Sequence, residues 1–436
     1  MVVTERPADD TRRMLWQFAP MIYGPTLLYG IGQGAVLPLI PVIAAELGAS
    51  VPVAALVASA LVVGQLVGNL PAGWAVARIG ERLTMMVAAG VSLVGVVAMA
   101  LAPVLGVFAA SVLLIGFSAA AFGLARHSFM TTRVPLSFRA RSLSLLGGSY
   151  RLGVFVGPFI AAGLLAVFDD PHAAIWFFGM CLLATGLLVT FGRDPERSLM
   201  TDAASAPPAP TTHTAADDTM SEDTGEAVTG SIPTADRAGV FRTMWRHRNV
   251  LSRLGLAAAS LSAVRSARQV VLPLWGVSLG LDAQTIALVV GVAGAIDFAL
   301  FYASGQVMDR FGRLWAALPA MVLMGAGFIA LAFTHDLDSA AMWFAMFGAV
   351  LGVGNGLSSG ILLTLGADVA PPADPAPFLG SWRTLTDAGG ALAPLLVSAI
   401  AAATSLSIAT GAMGVIGLVG AYGFVRWVPR FVPRAR

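Results

Sequence analysis

Charge is what this chain has least of. Only 11% of its 436 residues are charged, 57% are hydrophobic, and the mean hydropathy is +0.80. A soluble chain carries roughly 25% charged residues, so the composition excludes a water-soluble globular protein and implies one dissolved in lipid. Lysine is missing altogether, all 26 basic residues being arginine. The net charge of +2 says less than where those arginines fall. One cysteine, Cys181 in an apolar run, excludes a disulfide framework and a zinc cluster. The five histidines are scattered or in loops, with no nucleophile–base pattern and no Walker-type phosphate loop. No enzyme, cofactor, metal or nucleic-acid partner is therefore expected, and an ATP-driven pump is excluded. No small-residue cleavage pattern follows Arg12 and Arg13, so the first apolar segment is expected to stay as a span.

What is abundant is apolar length. Windows of about 20 residues, broken by short polar or Pro/Gly turns, predict twelve spans. The first six lie near 19–43, 53–76, 84–102, 105–131, 143–167 and 173–192. The second six lie near 252–276, 284–307, 315–333, 341–369, 378–402 and 406–428. Loops after odd-numbered spans contain no arginine, only Glu46, Asp169, Asp170, Asp282, Asp336 and Asp338. Arginines crowd the opposite side, which by the positive-inside rule is cytoplasmic and holds both termini. Residues 193–250 form one long polar insert, free of aromatics from Asp194 to Val240 and unable to bury a core. It reads as a flexible cytoplasmic linker ending in a short interfacial helix, Val240 to Arg248. The expected domains are 1–192, the linker 193–250, and 251–436.

The linker separates two copies of one unit. Gly73-x-x-x-Ala77-Arg78-x-Gly80-Glu81-Arg82 aligns with Gly305-x-x-x-Asp309-Arg310-x-Gly312-Arg313 at an offset of 232. Gly153-x-x-x-Gly157-Pro158 aligns with Gly389-x-x-x-Ala393-Pro394, and Val134-Pro135 with Ala370-Pro371, at 236. Leu37-Pro38-Leu39 aligns with Leu272-Pro273-Leu274 at 235. Two parallel six-helix repeats place a binding site between them at the membrane midplane.

The stretch Gly305 to Arg313 makes a poor span and a good tight turn: Gly312 permits the turn, Gly305 a close helix approach, and the arginines stay at the lipid surface. Its pattern G-x-x-x-D-R-x-G-R resembles the loop signature, motif A, of the major facilitator superfamily of secondary transporters. Gly153-Val-Phe-Val-Gly157-Pro158-Phe-Ile-Ala161-Ala162 is similar to that family's motif C, associated with drug/proton antiporters, with alanines in the last two places. Two departures stand out. Ala77 replaces the motif A aspartate and Glu81 an arginine in the first copy, which makes the cytoplasmic clamp asymmetric. The antiporter arginine of span 4 has no counterpart in Ser111–Gly116. The resemblance implies an all-α polytopic protein with the major facilitator fold, two six-helix bundles and 12 transmembrane helices. It also implies alternating access, a small-molecule substrate, a cytoplasmic-membrane location in the lipid bilayer and a monomer. Gating is expected of Gly305, Asp309, Arg310, Gly312 and Arg313, and of Gly153, Gly157 and Pro158, whose packing seals the periplasmic side.

Ionisable side chains at membrane depth cost about 2.5 to 3.5 kcal/mol each, which makes every one a candidate. Arg265 and Arg268 share a face of span 7. At the repeat offset they match Gly30 and Gln33 of span 1, where Thr26, Tyr29 and Gln33 form a polar stripe. Spans 1, 4, 7 and 10 line the cavity in the resembling family, so these residues, with Asn355 and Ser359 of span 10, are expected to meet substrate. Asp297 lies twelve residues before Asp309, about 18 Å along a helix and near the midplane. A lone carboxylate in a dry cavity favours its neutral form and a nearby arginine its charged form. Asp297 is thus the first candidate for proton coupling, against a structural ion pair with Arg265 or Arg268. Asp387, able to pair with Arg383 at i, i+4, is the second. Arg126 and Arg151 are candidates for substrate or for snorkelling to the cytoplasmic surface. Asp368 reads as a helix-end or gate contact.

Five buried arginines against two aspartates favour an anionic or zwitterionic substrate group. The leading expectation is proton-coupled export of a small amphipathic molecule. The alternatives are an importer or exchanger of an organic anion and a lipid or glycolipid translocase.

Overall fold

The computed structural model describes residues 19–133, 136–192, 245–371 and 375–432. Most of the predicted linker, the residues 240–244 that open the interfacial helix, and Val134-Pro135 lie outside them. Among the described residues there is no strand, and fourteen helices have seven residues or more. In the first half these are α1 (Gly24–Val36), α2 (Ile40–Glu46), α3 (Val51–Ile79), α4 (Glu81–Ala100), α5 (Leu105–Arg133), α6 (Leu136–Phe168) and α7 (His172–Phe191). In the second they are α8 (Leu256–Ser278), α9 (Ala283–Phe311), α10 (Arg313–Ala332), α11 (Ala340–Leu357), α12 (Ile361–Val369), α13 (Pro375–Ala403) and α14 (Leu406–Phe431).

Two expected spans are broken, making fourteen helices of twelve spans. Span 1 divides into α1 and α2 at the 3₁₀ turn Leu37–Leu39, where Pro38 interrupts the helical ladder. Span 10, read from the sequence as continuous, divides at Ser358–Gly360, with Gly360 in the left-handed region at φ 80°. Backbone freed at membrane depth needs partners within the protein. The buried Ser304 hydroxyl lies 2.8 Å from Leu357 O and 2.9 Å from Ser359 O. Trp382 Nε1 donates to Leu362 O at 2.8 Å.

Among the described residues eleven segments are long and apolar enough to cross a membrane. The twelfth expected span, α8, has the length at 23 residues but is diluted by Ser262, Arg265, Ser266, Arg268 and Gln269. Large apolar side chains such as Val67, Trp74, Val94, Trp315 and Val419 stand exposed on the outer faces, as lipid requires.

The two halves pack alike. Within the first, α1 lies on α6, α3 on α5 and α4 on α7; within the second, α8 lies on α13, α9 on α11 and α10 on α14. The halves meet through α6 on α9 and α3 on α13, again related by the repeat. Small residues make the close approaches. A β-carbon at Gly157 would sit 2.5 Å from Ala35 N, and one at Gly153 2.6 Å from Leu27 O. Gly389 abuts Ala259 in the second half in the same way. Gly80 and Gly312 each turn the chain from one span into the next, at φ 81° and 91°.

Candidate functional site

Between the halves lies a cavity of about 920 Å³. Its first-half wall comes from α1, α3, α5 and α6, and its second-half wall from α8, α9, α11, α12 and α13. It reaches Ala367 and Leu379 near the arginine-bearing end of the bundle and stops at Val62, Pro158 and Ala391 towards the other. Beyond that floor the halves touch. Ser398 Oγ donates to Pro52 O at 2.9 Å, and Pro158 and Phe159 of α6 lie against Gly291 of α9. Five arginines (126, 151, 265, 268 and 383) and two aspartates (297 and 387) line the space.

The second-half wall is ionic. α8 presents Ser262, Arg265, Ser266 and Gln269 at helical spacing, so its polar stripe and its poor hydropathy have one cause. Arg268 Nη2 donates to Asp297 Oδ2 at 3.3 Å, and Asn355 Nδ2 donates to the same oxygen at 2.6 Å. Arg265 Nε donates to Asn355 Oδ1 at 3.0 Å. Asn355 therefore ties the second arginine to the carboxylate through its amide. Arg268 and Asp297 retain 11% and 19% exposure, enough to meet cavity water. Among the described residues Asp297 Oδ1 and Arg268 Nε have no hydrogen-bond partner. On α13, Arg383 Nε and Asp387 Oδ2 lie 3.4 Å apart, one turn from each other.

Among the described residues the first-half wall has no carboxylate, and it sets two arginines among neutral groups and aromatic faces. Tyr150 Oη donates to Gln33 Oε1 at 2.7 Å, and the Arg126 guanidinium lies 4.8 Å from the Tyr150 ring centre. Tyr29 lines the cavity with its ring stacked on Phe122 at 4.7 Å, but its hydroxyl turns to Ser92 Oγ at 3.4 Å. Thr26 is fully buried and does not reach the cavity, so the expected stripe is two residues, not three.

Arg151 crosses between the halves. Its Nη1 donates to Ser359 Oγ at 3.3 Å, and its guanidinium lies 4.5 Å from the Phe301 ring centre. Snorkelling is thus corrected for both first-half arginines: each is drawn inward, to an aromatic face. Ser359, expected to meet substrate, is at the span-10 break under Arg151 and not among the lining residues. One turn further along α6, Phe155 stacks on Phe298 of α9 at 5.4 Å.

At the arginine-bearing end, Arg313 Nε pairs with Asp368 Oδ2 at 2.9 Å, and its Nη1 donates to Met308 O at 3.3 Å. Arg310 lies over the Phe311 ring at 5.4 Å. The Asp309 side chain lies outside the described residues. Gly305 overturns its reading as a close-approach residue, because a β-carbon there would meet no atom within 4 Å among the described residues. The first copy of the turn makes other contacts. Arg82 donates to the carbonyls of Val189, Thr190 and Gly192, and Ser128 Oγ donates to Glu81 at 3.3 Å.

Sequence reasoning missed Tyr150, which both fixes Gln33 and carries Arg126. Its signal was present: a hydroxylated aromatic beside an intramembrane arginine, three residues before Gly153. It also missed Asn69 and Gln269 as cavity residues.

The helices and cavity define a multi-pass membrane protein of two six-helix bundles clasping a largely apolar chamber studded with charged side chains. The sequence model of the Major Facilitator Superfamily matches residues 25–394, and the chain belongs to that superfamily. It is a transporter of that fold. A comparison with curated protein sequences gives no match. Among solved structures, it is similar to a POT family transporter in complex with a thioalcohol-conjugated peptide, with a TM-score of 0.72, 11% identity and 97% of each chain covered. It is also similar to a POT family transporter in complex with 5-aminolevulinic acid, at 0.70, 12% and 97% of each. An auto-inhibited POT family peptide transporter matches at 0.68 and 13%, covering 97% of this chain and 98% of that one. At such identities the likeness is one of fold.

Proposed function

We propose that the protein is a secondary active transporter of a small amphipathic organic anion, with Asp297 as its proton-coupling group. The observation that carries this reading is the Arg268–Asp297 pair on the cavity wall, beside Arg265 and Asn355. A substrate carboxylate or phosphate that takes Arg268 for itself deprives Asp297 of its cation. A proton taking the place of that cation on the carboxylate is the coupling step of this reading. By linkage the reverse holds equally: a proton on Asp297 frees Arg268 and tightens anion binding. Anion and proton thus favour each other's binding and travel in the same direction. The arginine excess around the chamber and its aromatic patches at Phe122, Phe155 and Phe298 suit an anion with an apolar body.

A second reading keeps the same site and reverses the coupling: export in exchange for protons. It draws on Pro158, which lies against Gly291 of α9 where the halves close towards the arginine-poor end, whereas Gly153 and Gly157, expected to seal that side, pack on α1 within the first half. In that orientation both termini are cytoplasmic and the chamber faces the cytoplasm.

Proteoliposomes enclosing a pH-sensitive dye, with no imposed gradient, separate the two. With the wild type, an anionic amphiphile is expected to acidify the lumen as it enters, beyond protein-free vesicles, and neutral or cationic analogues are not. Asp297→Asn is expected to abolish the pH signal. Alkalinisation on substrate entry would establish exchange instead. Tracer uptake with no proton movement would demote Asp297 to a structural partner.

A further inference from the structure

Outside the lining of the chamber, at the arginine-bearing end of the second half, three guanidinium groups converge on one indole. Arg253, in the π-helical turn Leu251–Gly255 that leads into α8, lies 4.7 Å from the Trp427 ring centre. Arg426 and Arg430 of α14 lie 5.1 and 5.3 Å from the same ring. All three arginines are exposed, and none is paired with a carboxylate among the described residues. The ring quadrupole attracts each cation, but like charges crowded round one ring repel, and Arg426 and Arg430 repel again at i, i+4. A helix C-terminus favours Arg430. It does not account for Arg253, which comes from a different segment. The cluster also sits at the height of an aromatic belt: Trp74, Trp245 and Trp315 stand exposed at this same end, as side chains do at a membrane–water interface.

We propose that Arg253, Arg426 and Arg430 around Trp427 form a binding site for the headgroup phosphate of an anionic phospholipid. The phosphate supplies the negative charge the three guanidiniums lack, bound by the forked donors that arginine presents to such oxygens. Its acyl chains then lie along the exposed apolar face of α14, where Val419, Tyr422 and Val425 point outward. A basic pocket between membrane helices at this level is the sequence-readable form of lipid recognition. The inference is independent of what the transporter carries.

The test uses the full chain purified in detergent. Phosphatidylglycerol, phosphatidylcholine and inorganic phosphate are titrated separately, with thermal stability and lipid retention in native mass spectrometry as readouts. Phosphatidylglycerol is expected to raise the melting temperature and leave one retained lipid. Replacing all three arginines (Arg253→Gln, Arg426→Gln, Arg430→Gln) is expected to weaken that response on the order of a hundredfold, roughly fivefold per arginine. Should the triple variant fail to fold, Arg253→Gln alone and Trp427→Leu are read the same way, the first about fivefold weaker. Equal stabilisation by phosphatidylcholine would overturn the proposal, as would an unchanged response in the variants. A shift reproduced by inorganic phosphate alone would show a free-anion site and overturn the lipid assignment.

Discussion

At matching positions of the two repeats, Gly30 corresponds to Arg265, Gln33 to Arg268, Gln65 to Asp297 and Ala119 to Asn355. Each of these four second-half residues thus has an uncharged counterpart in the first, whereas Asp387 corresponds to Arg151 at the 236 offset. The scaffold, by contrast, is shared: α1 on α6 repeats as α8 on α13, and the glycine turns at 80 and 312 have nearly the same φ. The turn contacts diverge in the same manner. Glu81 meets Ser128 of α5, whereas Arg313, one residue past the other glycine, meets Asp368 of α12. Backbone packing constrains both repeats because both must fit lipid and each other. The cavity face is constrained only by what it binds. The second half therefore supplies both carboxylates of the cavity, while the first sets Arg126 and Arg151 among aromatic and amide groups.

The sharpest way to break this comparison is to strand one charge. Arg268→Leu is expected to cost about 3 kcal/mol, the low end for stranding a buried charge, since it leaves the part-buried Asp297 without its cation. Adding Asp297→Asn is expected to restore most of that stability but not transport. Gln33→Leu, at the matching position, loses one hydrogen bond from Tyr150 and is expected to cost about 1 kcal/mol. Thermal denaturation of the variants in detergent decides the matter, and equal costs at 33 and 268 would remove the asymmetry. A second contrast sets a packed glycine against an open one. Gly157→Val drives a side chain into the backbone of α1 and is expected to cost about 1–3 kcal/mol, while Gly305→Ala stays within about 0.5 kcal/mol. The smallest effect concerns helix caps. Asp282 caps α9 by accepting from Thr285 N at 2.8 Å, while Ser50, its repeat partner before α3, makes no cap bond. Asp282→Ala is expected to cost about 1 kcal/mol and Ser50→Ala close to nothing. Hydrogen bonds from the Thr285 side chain and backbone hold the Asp282 carboxyl below the usual aspartate range. Its contribution is therefore complete above the unfolded aspartate value and is lost as pH falls through the lower folded value. Melting curves from neutral pH downward should show the Asp282→Ala difference vanish in acid.

Much of this architecture is legible in the linear chain because lipid imposes a length and a hydropathy on every span. The expected limits of most spans fall within a few residues of the helices, and α8 was found by its position despite its charges. Helical spacing put Arg265 and Arg268 on one face, distance along the span put Asp297 near the midplane, and the family resemblance added Asn355; all four line the cavity. What the sequence hid is whatever depends on neighbours. The break at Ser358–Gly360 carries no proline, and it persists because Ser304, on a different helix, satisfies its carbonyls. Arg151 gave no sign that it would reach the opposite half, since that depends on how closely α6 and α9 approach. Gly305 misled because a glycine in a turn motif looks the same whether or not a helix lies against it.

The hydropathy of α8 has a consequence for how the molecule is made. A helix emerging from the ribosome is sorted into the bilayer largely on its own side chains. Two arginines near its middle weigh about 5–7 kcal/mol against entry, more than its leucines and valines readily offset at a few tenths each. The carboxylate that neutralises one of those charges lies on α9, which is synthesised later. α8 is therefore expected to wait at the insertion machinery until α9 arrives, the two entering as a pair held by Arg268 and Asp297. The second half is then born cooperatively where the first can be threaded span by span, and a chain truncated just after α8 should leave that segment outside the membrane.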